Sequence, residues 1–241
     1  MLVLVQLFLF GTLERVNYVF VIVPNKDFYN EEYYRSHYGR VYADPDYYQL
    51  KALYWKHAIF DTYHLPTDQV TLDFGCGLGQ VSAALADAHC FDFADFAVDW
   101  LECAGRTVYR KRSTIPKKTF DVIVSSHSLE HSLTPHEDLQ AFAQFAVQGG
   151  WLILILPVET NFKMTLEADH DQHMQAWTFQ TITNLLRASG WEPQTQNYIY
   201  DSFALCPLAK WFGPEKGVPV SWRLGRAVKH FKSMLTISRV V

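Results

Sequence analysis

Cysteine and basic charge are both scarce in this sequence, and each shortage excludes a class of protein. Four cysteines occur in 241 residues, and no two of them form a C-x-x-C pair. Neither a disulfide framework nor a thiolate metal cluster is therefore expected, and a reducing, cytoplasmic compartment suits this usage. The 21 Lys and Arg residues are outnumbered by 25 Asp and Glu residues, which gives a net charge of −4. Broad nucleic-acid binding normally needs a basic face, so no nucleic-acid partner is expected.

The apolar runs near the start of the sequence are too short for a transmembrane helix, which needs about 20 residues. Residues 2–10 and 18–23 are mostly apolar, but Glu14 and Arg15 lie between them. A secretory signal is not expected either, because a basic n-region and a small-residue cleavage site are missing. The β-rich composition favours two strands joined by a turn. A membrane-contacting segment is the alternative.

The main motif is a short apolar run that leads into a glycine-rich turn. Residues 70–74 are followed by glycines at alternate positions, Gly75, Gly77 and Gly79. The pattern predicts a strand, a turn whose backbone can approach a ligand closely, and a helix whose N-terminus favours negative charge. A dinucleotide fingerprint reads G-x-G-x-x-G, and Gln80 stands where its third glycine belongs, which disfavours a nucleotide-linked dehydrogenase. The buried stripe of the expected helix is Val81, Ala84, Leu85 and Ala88.

Residues 93–99 form a mostly apolar segment that predicts the second strand of a sheet. The segment closes on Asp99, and an acid at the carboxyl end of a strand can accept hydrogen bonds from both hydroxyls of a ribose. Trp100 follows and is expected either to stack on an adenine ring or to pack in the core. Only residues 100–105 then remain for a helix before the next strand. The basic run Arg110-Lys-Arg112 is expected to be a solvated edge, with an anionic contact as the alternative.

A buried strand at residues 120–126 brings Ser126 and His127 to its carboxyl end, where open α/β sheets bind ligands. Glu130 and His131 follow and are expected to face the same crevice. Caps and periodicity predict further elements. These are a helix capped by Asp44, a helix ending at Gly149-Gly150, a helix capped by Thr178, a helix through Leu224, Val228, Phe231 and Leu235, and strands at 151–157, 191–200 and 235–240.

Two segments together resemble the class I S-adenosylmethionine-dependent methyltransferases. One is the G-x-G-x-G turn preceded by Asp73, and the other is Phe120-Asp-Val-Ile-Val with Leu129-Glu-His131. The second is similar to the branch that includes ubiquinone-type and many small-molecule enzymes. The resemblance covers residues 45–200 and implies a doubly wound, Rossmann-like α/β sheet, mostly parallel with an antiparallel seventh strand.

The resemblance also implies a methyltransferase domain over residues 45–241. Residues 1–44 would then be an N-terminal extension or lid. The aromatic residues of this lid are candidates either for covering the ligands or for ordinary packing. They are Tyr29, Tyr33, Tyr34 and His37.

The implied cofactor is S-adenosyl-L-methionine, and the residues expected to bind it are Asp73, Gly75, Cys76, Gly77, Gly79, Asp99, Trp100, Ser126 and His127. Histidine titrates near neutral pH, so the candidates for a base that removes a proton from the acceptor are His127, His131, His170 and His173. Asp169, His170 and His173 also offer metal-ligand types. A polar loop gives such clusters by chance, so no metal is expected.

The implied activity is methyl transfer to a small-molecule acceptor, with O-methylation and a sugar or lipid-linked acceptor favoured. Amine methylation of a base or glutamine is disfavoured, because an N/D-P-P-Y/F motif is missing after the fourth strand. The alternative is a non-catalytic relative that binds the cofactor weakly or serves as a partner subunit, prompted by the short segment after Asp99 and by the basic run. A homodimer is a further expectation. So is contact between an anionic membrane surface and the basic face near Trp211, Phe212 and Trp222.

Overall fold

The computed structural model of the chain describes residues 26–159, 171–200, 202, 204–229 and 231–241. Among them are eight α-helices and seven strands. The helices are α1 (Glu31–Tyr38), α2 (Arg40–Ala43), α3 (Pro45–Lys56), α4 (Asp95–Cys103), α5 (Pro135–Phe145), α6 (Phe179–Ala188), α7 (Leu205–Phe212) and α8 (Pro214–Ala227). The strands are β1 (Val70–Phe74), β2 (Asp87–Phe91), β3 (Thr107–Tyr109), β4 (Phe120–Ser126), β5 (Ala146–Pro157), β6 (Trp191–Tyr200) and β7 (Phe231–Val240). The strands predicted near the start of the chain, Asp169 and His170 lie outside the described residues.

The seven strands form one sheet in the order β3-β2-β1-β4-β5-β7-β6. Strands β1 to β5 are parallel, and β7 runs antiparallel to both β5 and β6. The predicted mostly parallel, Rossmann-like sheet with an antiparallel seventh strand is therefore confirmed.

Alternate residues of the central strands supply two separate cores. Ile123 of β4 packs with α5 and α6 on one face of the sheet, whereas Val122 and Val124 pack on the other face with α8. Burial on both faces explains the continuous apolar run of β5. Trp191 at the start of β6 is fully buried, and its indole N–H donates to the Leu139 carbonyl of α5 at 2.9 Å.

Two helix starts follow the expected capping chemistry. Asp44 accepts from the backbone N–H of Tyr47, and Pro45 occupies the first position of α3. Thr178 and Thr181 form a reciprocal capping box at the start of α6. These predictions are confirmed.

The predicted second strand at residues 93–99 is wrong. Residues 95–103 form α4, in which Ala97, Val98 and Leu101 are buried at helical spacing, as is Ala94 just before the helix. The strand lies earlier, at Asp87–Phe91. Only residues 75–86 therefore remain between β1 and β2, and they form turns instead of the predicted helix.

Two other boundaries also differ from the prediction. Helix α5 ends at Phe145, and Gly149-Gly150 lies inside β5, where a register shift against β4 absorbs the extra residues. Phe231 and Leu235 belong to β7, because the preceding helix ends at Ala227. The apolar residues from Leu224 onward thus belong to two elements.

Candidate functional site

The candidate site lies at the carboxyl ends of β1, β2, β4 and β5. The strand order reverses between β1 and β4, and open α/β sheets bind ligands in the crevice at such a reversal. The glycine turn leaves β1 at this edge, and Ser126 and His127 leave β4 there.

The three glycines of the turn adopt left-handed backbone, with φ of +68° at Gly75, +54° at Gly77 and +69° at Gly79. Each also leaves space for a different neighbour. A Cβ at Gly75 would overlap the Ser128 side chain, and a Cβ at Gly77 would overlap the Tyr38 hydroxyl. The loop is therefore packed from several sides.

Asp92, directly after β2, holds the turn in place. Its Oδ2 accepts from the backbone N–H of Gly77 at 2.8 Å, and its Oδ1 accepts from Ala94 at 2.9 Å. The residue is 5 % exposed, and burial raises the pKa of its carboxyl although these backbone donors oppose the shift. Asp92 is thus the acid at the carboxyl end of the second strand.

Asp99 and Trp100 lie on α4, so the strand-end position that suggested their roles is not theirs. The Asp99 side chain is 64 % exposed and pairs with Arg110 at 2.7 Å. Trp100 packs against Tyr48 of α3, with ring centroids 5.6 Å apart.

Asp73 is a second buried acid beneath the turn. Neither of its oxygens has a hydrogen-bond partner in ordinary geometry, although Ser82 lies close enough to lower the pKa in part. Burial has the larger effect and raises the pKa of Asp73 to about 6. A buried carboxylate of this kind can accept from a ligand's cationic or donor group.

Cys76 lies between the first two glycines of the turn and is 8 % exposed. Burial raises the pKa of its thiol, so the residue is a poor nucleophile.

Aromatic side chains from α1 and the preceding turn cover the glycine turn. Tyr34 is 2 % exposed and stacks on Phe96 of α4 at 5.4 Å, and Tyr38 contacts Gly77. Tyr29 is also buried and meets the ring of His131 edge-on at 6.1 Å. We call Tyr29, Tyr33, Tyr34 and Tyr38 the aromatic cover.

His127 has a left-handed backbone, with φ of +49°, at the carboxyl end of β4. Its backbone N–H donates to the Ile155 carbonyl at 2.8 Å, and its Nε2 lies 2.9 Å from the Ser233 hydroxyl. The side chain is 43 % exposed, and its Nδ1 is 3.6 Å from Glu130 Oε1. His127 thus connects the end of β4 to β7 and to Glu130.

Glu130, His131 and His173 form a compact cluster. One ligand atom from each lies within 4.8 Å of the other two. Glu130 is fully buried, and neither of its oxygens has a hydrogen-bond partner. Burial lowers the pKa of His131, and His173 Nδ1 donates to Glu159 Oε1 at 2.7 Å. The structure therefore joins three of the four predicted bases near one acid.

Sequence reasoning missed Asp92 and Glu159. Asp92 follows the apolar pair Cys90-Phe91, which was a usable strand-end signal, but the polar start of β2 at Asp87 concealed the strand. Glu159 follows β5 without a motif, and only the contact with His173 reveals it.

A groove lies beside Glu159, between the end of β5, α6 and β6. Its volume is about 660 Å³, within the range of small-molecule sites. Its apolar lining includes Val158, Trp177, Phe179, Tyr198 and Met234.

Comparison with known families shows which family the chain belongs to. The family model described as "Methyltransferase domain" matches residues 34–196, more than half of the chain. The chain is a class I S-adenosylmethionine-dependent methyltransferase. No curated protein matches the sequence. The family, the enzyme class and the cofactor implied by the sequence motifs are thereby confirmed.

Solved structures share the fold of this methyltransferase. A methyltransferase solved with the Haloferax volcanii Trm112 activator is 17% identical with a TM-score of 0.57, over 87% of this chain and 96% of that one. The Burkholderia thailandensis 1,6-didemethyltoxoflavin-N1-methyltransferase, solved with bound 1,6-didemethyltoxoflavin and S-adenosylhomocysteine, is 15% identical with a TM-score of 0.57, over 89% of this chain and 87% of that one. The Synechocystis PCC 6803 magnesium protoporphyrin IX methyltransferase with bound SAM is 14% identical with a TM-score of 0.56, over 90% and 95%.

The two features that prompted a non-catalytic alternative have structural explanations. The segment before β3 contains a complete helix, α4, of nine residues. The arginines of the basic run pair with acids, Arg110 with Asp99 and Glu102, and Arg112 with Asp138.

Proposed function

We propose that this methyltransferase transfers a methyl group to an oxygen of a small-molecule acceptor bound at the carboxyl edge of the sheet. The observation that carries the cofactor-dependent part of the proposal is the hydrogen bond from the Gly77 N–H to Asp92. It fixes the glycine turn at the strand reversal and places a buried acid beside it.

The cofactor supplies a sulfonium methyl group that is already activated for transfer. We assign its binding to the predicted residues Asp73, Gly75, Cys76, Gly77, Gly79, Ser126 and His127, with Asp92 taking the role predicted for Asp99. Each Asp92 oxygen accepts one backbone N–H and keeps a second lone pair for a ribose hydroxyl. Asp73 offers two acceptor oxygens for the cationic amino group.

The acceptor would enter the groove beside β5 and α6. The apolar wall suits an aromatic or lipid-like body, and Trp177 Nε1 is a buried donor without a partner. Alignment of donor and acceptor can contribute about 7–11 kcal/mol of barrier reduction. We assign contact with the acceptor to His127, whose ring is partly exposed.

We propose that residues 1–44 act as a lid on a domain formed by residues 45–241. The support comes from the aromatic cover, since Tyr38 touches Gly77 and Tyr29 touches His131.

The test compares two acids seven positions apart. Titration with S-adenosylhomocysteine in a calorimeter should show that Asp92→Asn weakens binding by about 10- to 100-fold, because a buried, charge-assisted interaction is lost. Asp99→Asn should change the affinity by less than about two-fold, since exposed ion pairs contribute little. A thermal scan checks that both variants fold. Wild-type affinity in Asp92→Asn would show that Asp92 does not bind the cofactor.

We also propose that the α7–α8 hairpin contacts an anionic membrane surface, where a lipid-linked acceptor would be found. Trp211 and Phe212 at its turn are 74 % and 55 % exposed. Residues 204–229 contain five cations, Lys210, Lys216, Arg223, Arg226 and Lys229, against the single acid Glu215. Exposed aromatic residues flanked by cations are typical of interfacial helices. The predicted Trp222 is 6 % exposed and does not take part.

None of the described helices is long and apolar enough to cross a membrane. All four cysteines are free thiols, which supports a cytoplasmic location for the protein. The homodimer remains a proposal to be tested by light scattering.

Vesicle sedimentation tests the membrane contact. The protein should bind phosphatidylserine-containing vesicles more tightly than phosphatidylcholine vesicles, and Trp211→Ala with Phe212→Ala should abolish the difference. Leu133→Ala is the control, because Leu133 is an exposed apolar residue outside the hairpin, 63 % exposed. Equal sedimentation with both vesicle types would contradict the proposal.

A further inference from the structure

Glu130 is the most deeply buried member of the cluster that it forms with His131 and His173. It is 0% exposed, and neither oxygen accepts a hydrogen bond. Two imidazoles lie near this carboxylate, with His127 Nδ1 at 3.6 Å and His131 Nε2 at 4.0 Å from Glu130 Oε1. Burying a carboxylate without donors is costly unless a cation or metal ion compensates it.

His131 and His173 each have an acceptor behind one ring nitrogen, as metal-binding histidines usually do. His131 Nδ1 lies 3.4 Å from the Gln172 carbonyl, which can only accept, and His173 Nδ1 lies 2.7 Å from Glu159. Nδ1 therefore faces an acceptor in each ring, and Nε2 is the nitrogen that a metal ion would bind. A carbonyl or carboxylate behind each imidazole is the usual arrangement around protein-bound metal ions.

Backbone hydrogen bonds hold the loop that carries His173 against Glu130. The backbone N–H groups of Met174 and Gln175 donate to the Glu130 carbonyl at 2.8 and 3.0 Å. Gln172 adopts φ of +58°, a conformation that non-glycine residues rarely take without a local reason. These contacts hold the loop so that the Gln172 carbonyl lies behind His131.

We propose that Glu130, His131 and His173 bind a divalent first-row transition-metal ion, with zinc as the first candidate. Two imidazoles and one carboxylate form a known ligand set for such ions, and this set leaves further coordination positions open. A tetrahedral zinc ion separates its ligand atoms by about 3.4 Å, so the three side chains need to close by about 1.4 Å at most.

A bound metal ion would give His131 and His173 a task other than the proton transfer predicted for them. If the proposed methyl transfer is correct, an open coordination position could bind the acceptor oxygen and favour its ionised form. That role rests on the proposed function, whereas metal binding itself does not.

Metal titration of the full chain, without cofactor or acceptor, tests the proposal. Chelator-stripped protein is titrated with Co²⁺ while its visible d–d absorption is recorded, and then with Zn²⁺ against a chromophoric chelator. The expected result is one equivalent of each ion, with Zn²⁺ displacing the Co²⁺ spectrum. No uptake by the wild-type protein would overturn the proposal.

Variants locate the ion. Glu130→Gln and His173→Gln should each weaken binding at least 10-fold, and Glu159→Gln should weaken it about 10- to 100-fold through the orientation of His173. His89→Gln is the matched control, because His89 is also half-buried and pairs with an acid, Asp87 at 3.1 Å. His173 is on a loop, so its variant tests the site even where Glu130→Gln lowers stability. Unchanged affinity in His173→Gln would place the ion elsewhere and overturn the assignment.

Discussion

Gly75 has two features that each disfavour a side chain, its backbone conformation and a close neighbour. Its φ of +68° is a left-handed conformation, which costs an L-residue about 1–2 kcal/mol. Its open side is filled by Ser128, from the turn after β4. Gly75 therefore allows the turns that follow β1 and β4 to pack closely, in addition to any ligand contact.

Gly75→Ala should lower the free energy of unfolding by about 2–5 kcal/mol, since steric overlap adds about 1–3 kcal/mol to the backbone strain. The measurement is urea denaturation followed by tryptophan fluorescence. Gly105→Ala is the matched control, because Gly105 has φ of +73° and nothing within 4 Å of a built Cβ. If both variants lose the same stability, the contact with Ser128 contributes nothing.

At the residue scale, the sequence placed the glycines, Asp73 and the Ser126–His131 segment at the carboxyl edge of the sheet, where the structure has them, but it put Asp99 instead of Asp92 at the end of the second strand. Both acids follow apolar residues, and the difference lies in periodicity. The buried residues around Asp99 repeat at helical spacing, as Ala94, Ala97 and Leu101 show. Contacts across the chain, such as Glu159 with His173, have no local signature at all.

The α7–α8 hairpin depends on close backbone approach. A Cβ at Gly217 would lie 2.6 Å from the backbone N and Cα of Ala209, and backbone atoms cannot move aside as a flexible side chain can. Gly213, with φ of +75°, joins the two helices. Trp211 and Phe212 are thereby held at the turn of a tightly packed pair.

Gly217→Ala should destabilise the protein by about 1–3 kcal/mol, although alanine in an unhindered helix would gain about 1 kcal/mol. The sign of the change is therefore informative, and the shift of the urea midpoint measures it. The same variant should also weaken binding to anionic vesicles. A gain in stability would mean that the helices are not packed closely at Gly217.

At the element scale, elements with caps or continuous apolar runs were predicted well, as α3, α6, β1 and β5 show. The sequence predicts a helix between β1 and β2, and the structure has turns there. Val81 and Leu85 are nevertheless buried, as the helix prediction required. Their burial arises in turns, so side-chain pattern alone could not separate the two structures. The chain length to the next strand decides between them, and that strand had been misplaced.

Buried acids on one edge of the sheet make the stability of the whole molecule depend on pH. Burial raises the pKa of Asp73 to about 6, and the pKa of Asp92 is also raised. Around Asp73, the cation of Arg106 opposes this shift and the charge of Asp92 reinforces it. The native state therefore holds a proton on Asp73 between about pH 4 and pH 6, a range in which the unfolded chain has lost it.

Stability should fall as the pH rises from about 4 to about 6 and should remain lower above that range. The contribution of Asp73 is about 3 kcal/mol, from a pKa difference of about two units. Asp73→Asn should flatten this part of the profile and raise stability at pH 7. Denaturation across pH 4–8 measures it, with Asp99→Asn as an exposed control. An unchanged slope in Asp73→Asn would mean that other groups cause the dependence.

The position of β7 has a consequence for biosynthesis. In the sheet β7 lies between β5 and β6, although it follows both in the chain. When synthesis has reached residue 200, β6 has no neighbouring strand in this sheet. At ~5–20 residues per second, roughly 2–8 s pass before residue 240 is made. During that interval β5 and β6 expose unpaired strand edges, and a chaperone that covers such edges has its clearest opportunity to bind there.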